Sequence, residues 1–266
     1  VNVTGPFVSS ANPYLLFTYT NASNPFTLGS DAFQSGTGGN ISFVTSGISS
    51  RLTPSVSLDT LGNVYLTING AKVIWGGAGG ATWKTSGSSV WTVSGQTTTY
   101  LEADDVLFDD TGAASVVLES NVSPGSVEFA ANSTNYTVSS GNGSKITGNG
   151  GLRLTGGSTV TISTVNDYAG GTTVQSGRLR LGANGAIGGG TLTLNGGALS
   201  SSAAGVGRTI TNNVVIGGSV ILGDGTDSGA LTFNTGTVSL GSSIRQVTVS
   251  SDVTLGGNIS GSGLTK

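Results

Sequence analysis

The chain has 266 residues, a net charge of −3 and a charged fraction of 9%, far below the roughly 25% usual in soluble domains. Its ten Lys and Arg are scattered, so no basic stripe can bind phosphates, and nucleic acid is excluded as a partner. There is no Cys and no His, which excludes disulfides, imidazole zinc sites and a Ser-His-Asp triad. Since no apolar run approaches roughly 18 residues, no membrane span is predicted.

Residues 1–80 have an irregular rhythm and carry four of the five prolines. The predicted strands are Tyr14–Thr20, Ile41–Ser46, Pro54–Leu58 and Asn63–Ile68. Two interpretations stay open for this region: an antiparallel or irregular cap, or irregular coils of the fold that follows. Gly76–Gly80 (GGAGG) predicts a joint, after which Trp83 and Trp91 are expected to be core residues.

The next segment holds the densest group of acids: Glu102, Asp104, Asp105, Asp109 and Asp110. Clustered carboxylates are suitable ligands for Ca²⁺, a hard cation that takes six to eight oxygens. The alternative is a strand flanked by solvated turn acids, because the segment lacks the fixed spacing of a calcium loop. The sequence favours the turn acids and keeps Asp104, Asp105, Asp109 and Asp110 as weak Ca²⁺ candidates, with no other cofactor expected.

Residues 150–266 repeat short tetrads in which Leu, Val or Ile alternate with Thr, Arg or Ser. Alternation with period two places one set of side chains inward and the other outward. Leu179 and Leu181 are therefore expected inside, with Arg178 and Arg180 outside. The predicted strands are Val160–Ser163, Arg178–Leu181, Thr191–Leu194, Asn213–Ile216, Ala230–Phe233, Gln246–Val249 and Asp252–Leu255.

The spacing of the tetrads distinguishes two all-β architectures, a hairpin sandwich and a parallel β-helix. Hairpins favour Asn-Gly or Asp-Gly loops, whereas most joints here are Gly-Gly or Ser-Gly, and the same phrase recurs about every 20 residues. Stacking like on like explains this recurrence, so we predict a parallel β-helix. About a dozen turns would then form a rod about 60 Å long with open strand edges at both ends.

Two further groups are weak site candidates. Arg178 and Arg180 share one outer face, and with Arg153 one or two turns away they could form a basic ladder for an anionic glycan. Asp224 and Asp227 lie in a Gly-rich corner, where a turn is favoured over a Ca²⁺ site. For the three arginines the sequence favours solvated outward charges.

Asp167–Gly182 (DYAGGTTVQSGRLRLG) resembles the autotransporter-associated β-strand repeat of bacterial surface proteins. Gly148–Ser163 is similar to a degenerate copy of its middle, and Gly257–Lys266 (GNISGSGLTK) to the start of a further copy. The resemblance implies a right-handed parallel β-helix, secreted and displayed at the cell surface, without catalytic residues to transfer. It also implies a division into 1–80, the end of an upstream repeat block, and 81–266, a block that stops inside the next repeat.

These observations predict a non-enzymatic structural module that forms a rigid rod and assembles with neighbouring copies or flanking repeats. One alternative is a glycan-binding adhesin that displays Trp91, Tyr136 and Tyr168 on its lateral face. A second is a β-helix carbohydrate-active enzyme with Asp109 and Asp110 as its acids.

Overall fold

The structure is a computed structural model that describes residues 71–77, 82–87, 90–225, 229–234 and 236–266, and the backbone of six strands before residue 71. The chain divides into two units, Val1–Ala71 and Lys72–Lys266. All regular elements of the described residues are strands, with no helix. The all-β class predicted from the tetrads is therefore confirmed.

The described strands of Val1–Ala71 form two antiparallel sheets. The strands are β1 (Tyr14–Thr18), β2 (Thr27–Leu28), β3 (Phe33–Gln34), β4 (Asn40–Ile41), β5 (Thr53–Leu58) and β6 (Asn63–Asn69). β6 lies between β1 and β5, and β3 lies between β2 and β4. The antiparallel N-terminal portion is thus confirmed; of the predicted strand Ile41–Ser46, only Ile41 lies within the described residues.

Lys72–Lys266 is a parallel β-solenoid. Its strands are β7 (Lys72–Trp75), β8 (Thr82–Trp83), β9 (Trp91–Val93), β10 (Gln96–Thr98), β11 (Asp105–Phe108), β12 (Ser115–Leu118), β13 (Ser126–Phe129), β14 (Tyr136–Ser139), β15 (Gly151–Leu154), β16 (Thr159–Ile162), β17 (Thr172–Val174), β18 (Arg178–Leu181), β19 (Leu192–Leu194), β20 (Ala198–Ser201), β21 (Arg208–Ile210), β22 (Val214–Ile216), β23 (Val220–Leu222), β24 (Leu231–Phe233), β25 (Thr237–Ser239), β26 (Arg245–Val249), β27 (Val253–Leu255), β28 (Asn258–Ser260) and β29 (Leu264–Thr265).

Each turn contributes one strand to each of two long sheets. The first, sheet A, has eleven strands in the order β10-β9-β7-β11-β13-β15-β17-β19-β22-β25-β28, and the second, sheet B, has nine in the order β29-β26-β23-β20-β18-β16-β14-β12-β8. From β11 onward sheet A pairs residues 20 to 25 positions apart, as in Leu152 with Thr172 and Val127 with Leu152. A third sheet, β21-β24-β27, is added in the last turns.

The core is a continuous column of inward side chains between the sheets. Leu152 and Leu154 on β15 are buried, as are Leu179 and Leu181 on β18, whereas Arg178 and Arg180 lie on the outer face. The predicted alternation is confirmed here. Inward strand positions form apolar ladders about 4.8 Å apart, so each turn is stabilised mainly by its two neighbours.

Close stacking of corners requires glycine at some positions. A Cβ on Gly156 would lie 2.0 Å from the carbonyl oxygen of Ala131, one turn earlier. A Cβ on Gly229 would lie 2.1 Å from the carbonyl oxygen of Val206. The glycines that the sequence places between tetrads therefore allow backbone to approach backbone.

The N-terminal end of sheet A is extended by a β-hairpin, β9–β10. Its two-residue turn, Ser94 and Gly95, has positive φ at both positions, as a type I′ turn requires. β9 pairs antiparallel with β7, which places Trp91 opposite Trp75. Among the described residues β10 is the outermost strand of sheet A and pairs only with β9, so the sheet ends here in an antiparallel edge strand and the expectation of an open edge is not contradicted.

The solenoid is shorter than the sequence predicted. Sheet A contains nine parallel strands, from β7 to β28, which span about 40 Å at the usual strand spacing. The estimate of about 60 Å assumed that every residue contributes to a turn. The described strands of Val1–Ala71 belong instead to antiparallel sheets and add no turn to this stack.

Candidate functional site

The five acids of the predicted cluster accept hydrogen bonds from different parts of the chain. Glu102 Oε2 accepts hydrogen bonds from the Tyr100 hydroxyl at 2.7 Å and from the Ser123 backbone N–H. Asp104 is buried, and its Oδ2 accepts the Leu101 N–H at 2.8 Å. Asp105 Oδ1 accepts the hydroxyl of Ser126, one turn later. These contacts connect neighbouring parts of the solenoid.

Asp109 and Asp110 both hold loops in place. Asp109 Oδ1 accepts the N–H and the hydroxyl of Thr111 at 2.8 and 2.6 Å. Asp110 Oδ1 accepts the N–H of Ser133 and of Thr134, each at 2.8 Å, in the following turn. These backbone N–H groups hold the pKa of the Asp110 carboxyl well below its ordinary value of 3.8.

This arrangement does not favour the Ca²⁺ interpretation of the acidic segment. Among the described residues no three Asp or Glu side chains come together as a potential metal site. Asp104, Asp105, Asp109 and Asp110 each have hydrogen-bond donors from the chain itself. Carboxylates already hydrogen-bonded to different loops are not a shared oxygen cage. Asp227, the partner of Asp224 in the other Ca²⁺ candidate, lies outside the described residues.

The three arginines of the predicted basic ladder lie on different sheets. Arg153 is on β15 of sheet A, in register with Glu128. Arg178 and Arg180 are on β18 of sheet B. The predicted ladder of three is therefore wrong, because sequence spacing alone did not show which tetrads share a sheet.

Arg178 and Arg180 have a partner that the sequence did not indicate. Arg178 Nη1 lies 3.6 Å and Arg180 Nη2 lies 3.9 Å from Asp224 Oδ2. Arg178 Nη1 also donates to the Gly223 carbonyl at 2.9 Å. The chain leaves β23 at Leu222, and this brings Asp224 to the outer face of β18, 44 to 46 positions after the arginines.

The aromatic residues proposed for an adhesive surface lie in the core. Trp91, Tyr136 and Tyr168 are each at most 1% exposed. Trp91 lies edge-on to Trp75 and Trp83, and Tyr168 exchanges a hydrogen bond with Thr172 inside the solenoid. Burial raises the pKa of Tyr136 to about 12. An adhesin that displays these three side chains is therefore excluded by their position.

Asparagines connect successive turns at the corners. Exposed Asn132, Asn184 and Asn213 each accept, through Oδ1, a backbone N–H from the following turn at 3.0 Å. Asn166 is buried and bridges both neighbouring turns, since its Oδ1 accepts the Ile146 N–H and its Nδ2 donates to the Ala186 carbonyl. The amide-rich composition thus serves inter-turn hydrogen bonding.

The C-terminal end of the stack is open among the described residues. Ile259 on β28 occupies the inward column of sheet A after Val238, yet it is 49% exposed, against 2% for Val238. Asn258 pairs in register with Thr237, whose backbone N–H donates to Asn213 Oδ1. Asn258 therefore occupies on β28, the last described strand of sheet A, the position that Asn213 occupies two strands earlier.

Comparisons with protein-family models, curated protein sequences and solved structures give no match. The fold itself defines the class: a β-solenoid repeat protein with an antiparallel N-terminal unit. Among the described residues no helix has the length and apolar character needed to cross a membrane.

Proposed function

We propose that the chain is a non-enzymatic structural module of a secreted bacterial surface protein, of the autotransporter-repeat kind. Its solenoid would act as a stiff rod, displayed outside the cell, that assembles into a fibre or layer with neighbouring copies or flanking repeats. The observation that carries the proposal is that most acidic and amide side chains do not converge on a site. They form hydrogen bonds between one turn and the next.

Several features of composition support this role. Absence of Cys and Met leaves few readily oxidised side chains, which suits an extracellular rod. Parallel stacking, which the repeat resemblance implies, is also the arrangement of sheets A and B. A stack in which each turn depends on its neighbours transmits force along its axis and needs no enclosed ligand site.

The edge of β28 is the surface on which we propose that a flanking repeat or a neighbouring copy continues the stack. An edge strand presents unpaired N–H and C=O groups to an incoming strand. Ile259 supplies half-exposed apolar surface for burial, and Asn258 supplies the connecting amide. Only Asp252 and Lys266 are charged in residues 250–266, so the surface has no net charge to repel a second copy.

The test is the association state of the purified chain, by analytical ultracentrifugation across concentration and by electron microscopy. The wild-type chain should associate end to end, and Ile259→Lys should remain monomeric because it places a charge at the edge. Ile244→Lys is the matched control, since Ile244 is exposed on the turn before β26. A wild-type chain that stays monomeric, or equal association by both variants, would contradict the proposal.

A further inference from the structure

Two successive turns of the solenoid carry a concentrated set of glycosylation signals. All four asparagines between residues 111 and 145 begin an Asn-x-Ser/Thr sequence, the acceptor signal for an N-linked sugar. None of the seven asparagines between residues 149 and 234 begins one. The four are exposed and lie on the loops that follow β12, β13 and β14: Asn121, Asn132, Asn135 and Asn142. The signals therefore form one band around the rod.

Three of these asparagines use the oxygen of the side-chain amide and leave its nitrogen available. Asn135 Oδ1 accepts the Thr159 N–H at 2.8 Å. Asn132 and Asn121 each accept a backbone N–H of the following turn, at 3.0 and 3.2 Å. Within the part of the chain that the structure describes, the Nδ2 atoms of these three residues have no hydrogen-bond partner. A sugar joined to Nδ2 would thus leave the bond between turns intact.

The amide of Asn142 is held at both of its ends. Its Nδ2 donates to the Glu119 carbonyl at 2.9 Å. Its Oδ1 accepts the hydroxyls of Ser140 and Ser144 at 2.8 and 2.6 Å. A sugar on this nitrogen would occupy the space beside the Glu119 carbonyl and the two hydroxyls. Asn142 therefore has the same signal as the other three but an amide that the fold withholds.

The hydroxyl at the third position of the signal separates Asn135 from Asn132. Thr137, the third residue of the Asn135 signal, is exposed on the outer face of β14, and its hydroxyl has no hydrogen bond to any other described residue. Thr134, the third residue of the Asn132 signal, donates its hydroxyl to the Asp110 carbonyl at 3.2 Å. Asn135 is thus the position where both parts of the signal are accessible.

We propose that Asn135 is a glycan attachment site, with Asn121 and Asn132 as further acceptors in the same band. In the transfer, Nδ2 forms a bond to C1 of a sugar activated as its diphosphate ester. The bond from C1 to the diphosphate oxygen breaks, and Nδ2 loses one proton. The inference rests on the proposed function, because this modification belongs to the surfaces of secreted proteins. A bulky hydrophilic group would add solubility to a chain of which only 9% is charged.

The experiment is peptide mass mapping of the protein isolated from the surface fraction of the cells that produce it naturally. A hexose or a longer glycan is expected on Asn135, whereas Asn142 should be unmodified. Bare asparagine at all three accessible positions, or a glycan on Asn142 at equal occupancy, overturns the proposal. Failure of the proposed function would be seen separately, as absence of the protein from the surface fraction.

Asn184 and Asn213 are matched internal controls. Each is exposed and accepts a backbone N–H of the next turn through Oδ1, as Asn135 does, but neither begins an Asn-x-Ser/Thr sequence. Both should be unmodified in the same peptide map. Equal modification of these two residues and of Asn135 would show chemical attachment to any exposed amide, and it would overturn the site.

Two variants at Thr137 test the signal without disturbing the hydrogen bond of Asn135. Thr137→Ala keeps the asparagine and its contact with Thr159, and it should abolish the glycan on Asn135. Thr137→Ser keeps the signal and should retain the glycan. Both variants should unfold at temperatures close to that of the wild type, because Thr137 is exposed. A glycan that persists on Asn135 in Thr137→Ala would overturn the proposal.

Discussion

The two ends of the solenoid Lys72–Lys266 differ in how completely their core side chains are covered. At the N-terminal end, the β9–β10 hairpin extends sheet A, and buried Trp75, Trp83 and Trp91 surround Phe108. At the C-terminal end, all three residues of β28 are exposed and Ile259 is half in solvent. Core side chains are therefore covered by an aromatic cluster in the first turns of the described solenoid and are exposed in its last strands.

The largest expected effect is at the aromatic end. Phe108 stacks on Phe129 at 4.5 Å between ring centroids and contacts the tryptophans, so Phe108→Ala should destabilise the chain by about 3 to 5 kcal/mol. The matched change at the open end, Ile259→Ala, should cost less than about 1 kcal/mol, because half of that side chain is already solvated. Urea unfolding followed by tryptophan fluorescence measures both, and equal costs would remove the difference between the ends.

A smaller effect is expected from the asparagines that connect turns. Asn166→Ala leaves the Ile146 N–H and the Ala186 carbonyl without their buried partner, at a cost of about 1 to 3 kcal/mol. Asn258→Ala should be close to neutral in the monomer, because this asparagine lies on the exposed edge strand. Thermal unfolding of both variants in dilute solution is the measurement. If Asn258→Ala were the more damaging change, the C-terminal turn could not be the open one.

The smallest expected effect depends on pH. The pKa of Asp110 is lower in the folded state than its ordinary value of 3.8, so the folded chain binds fewer protons and stability falls as the pH drops below about 4. Asp110→Asn should be less stable than the wild type at pH 7, and this difference should shrink toward pH 2. Urea midpoints of both chains across this pH range are the measurement. A stability difference that grows on acidification would contradict a stabilising role for the hydrogen bonds from the Ser133 and Thr134 N–H groups to Asp110.

Period-two patterning predicted seven of the fifteen described strands from Gly151 onward. The predicted strand Arg178–Leu181 coincides with β18, and Thr191–Leu194 and Ala230–Phe233 begin one residue before β19 and β24. The inward position of the leucines followed from the same pattern because a buried apolar ladder fixes the register. Burial of Trp83 and Trp91 was also correctly expected.

The hairpin at the N-terminal end and the assignment of strands to sheets were not predictable. The Ser94-Gly95 turn is a weaker hairpin signal than Asn-Gly, and Ser-Gly also occurs at joints between parallel strands. Each turn holds two or three tetrads, so spacing alone could not place Arg153 on sheet A and Arg178 on sheet B. Asp224 was not predicted as a partner of Arg178, because the two residues are far apart in sequence and come together only when the turns stack.

Native-state hydrogen exchange in dilute solution tests the difference between the two ends most directly. Backbone amides of β11, β13 and β15 should exchange at least about tenfold more slowly than those of β25 and β28, because openings start at the end with fewer buried contacts. Protection should fall progressively toward Lys266. Equal protection along sheet A, or slower exchange in β28 than in β13, would contradict the difference between the aromatic N-terminal end and the exposed C-terminal end.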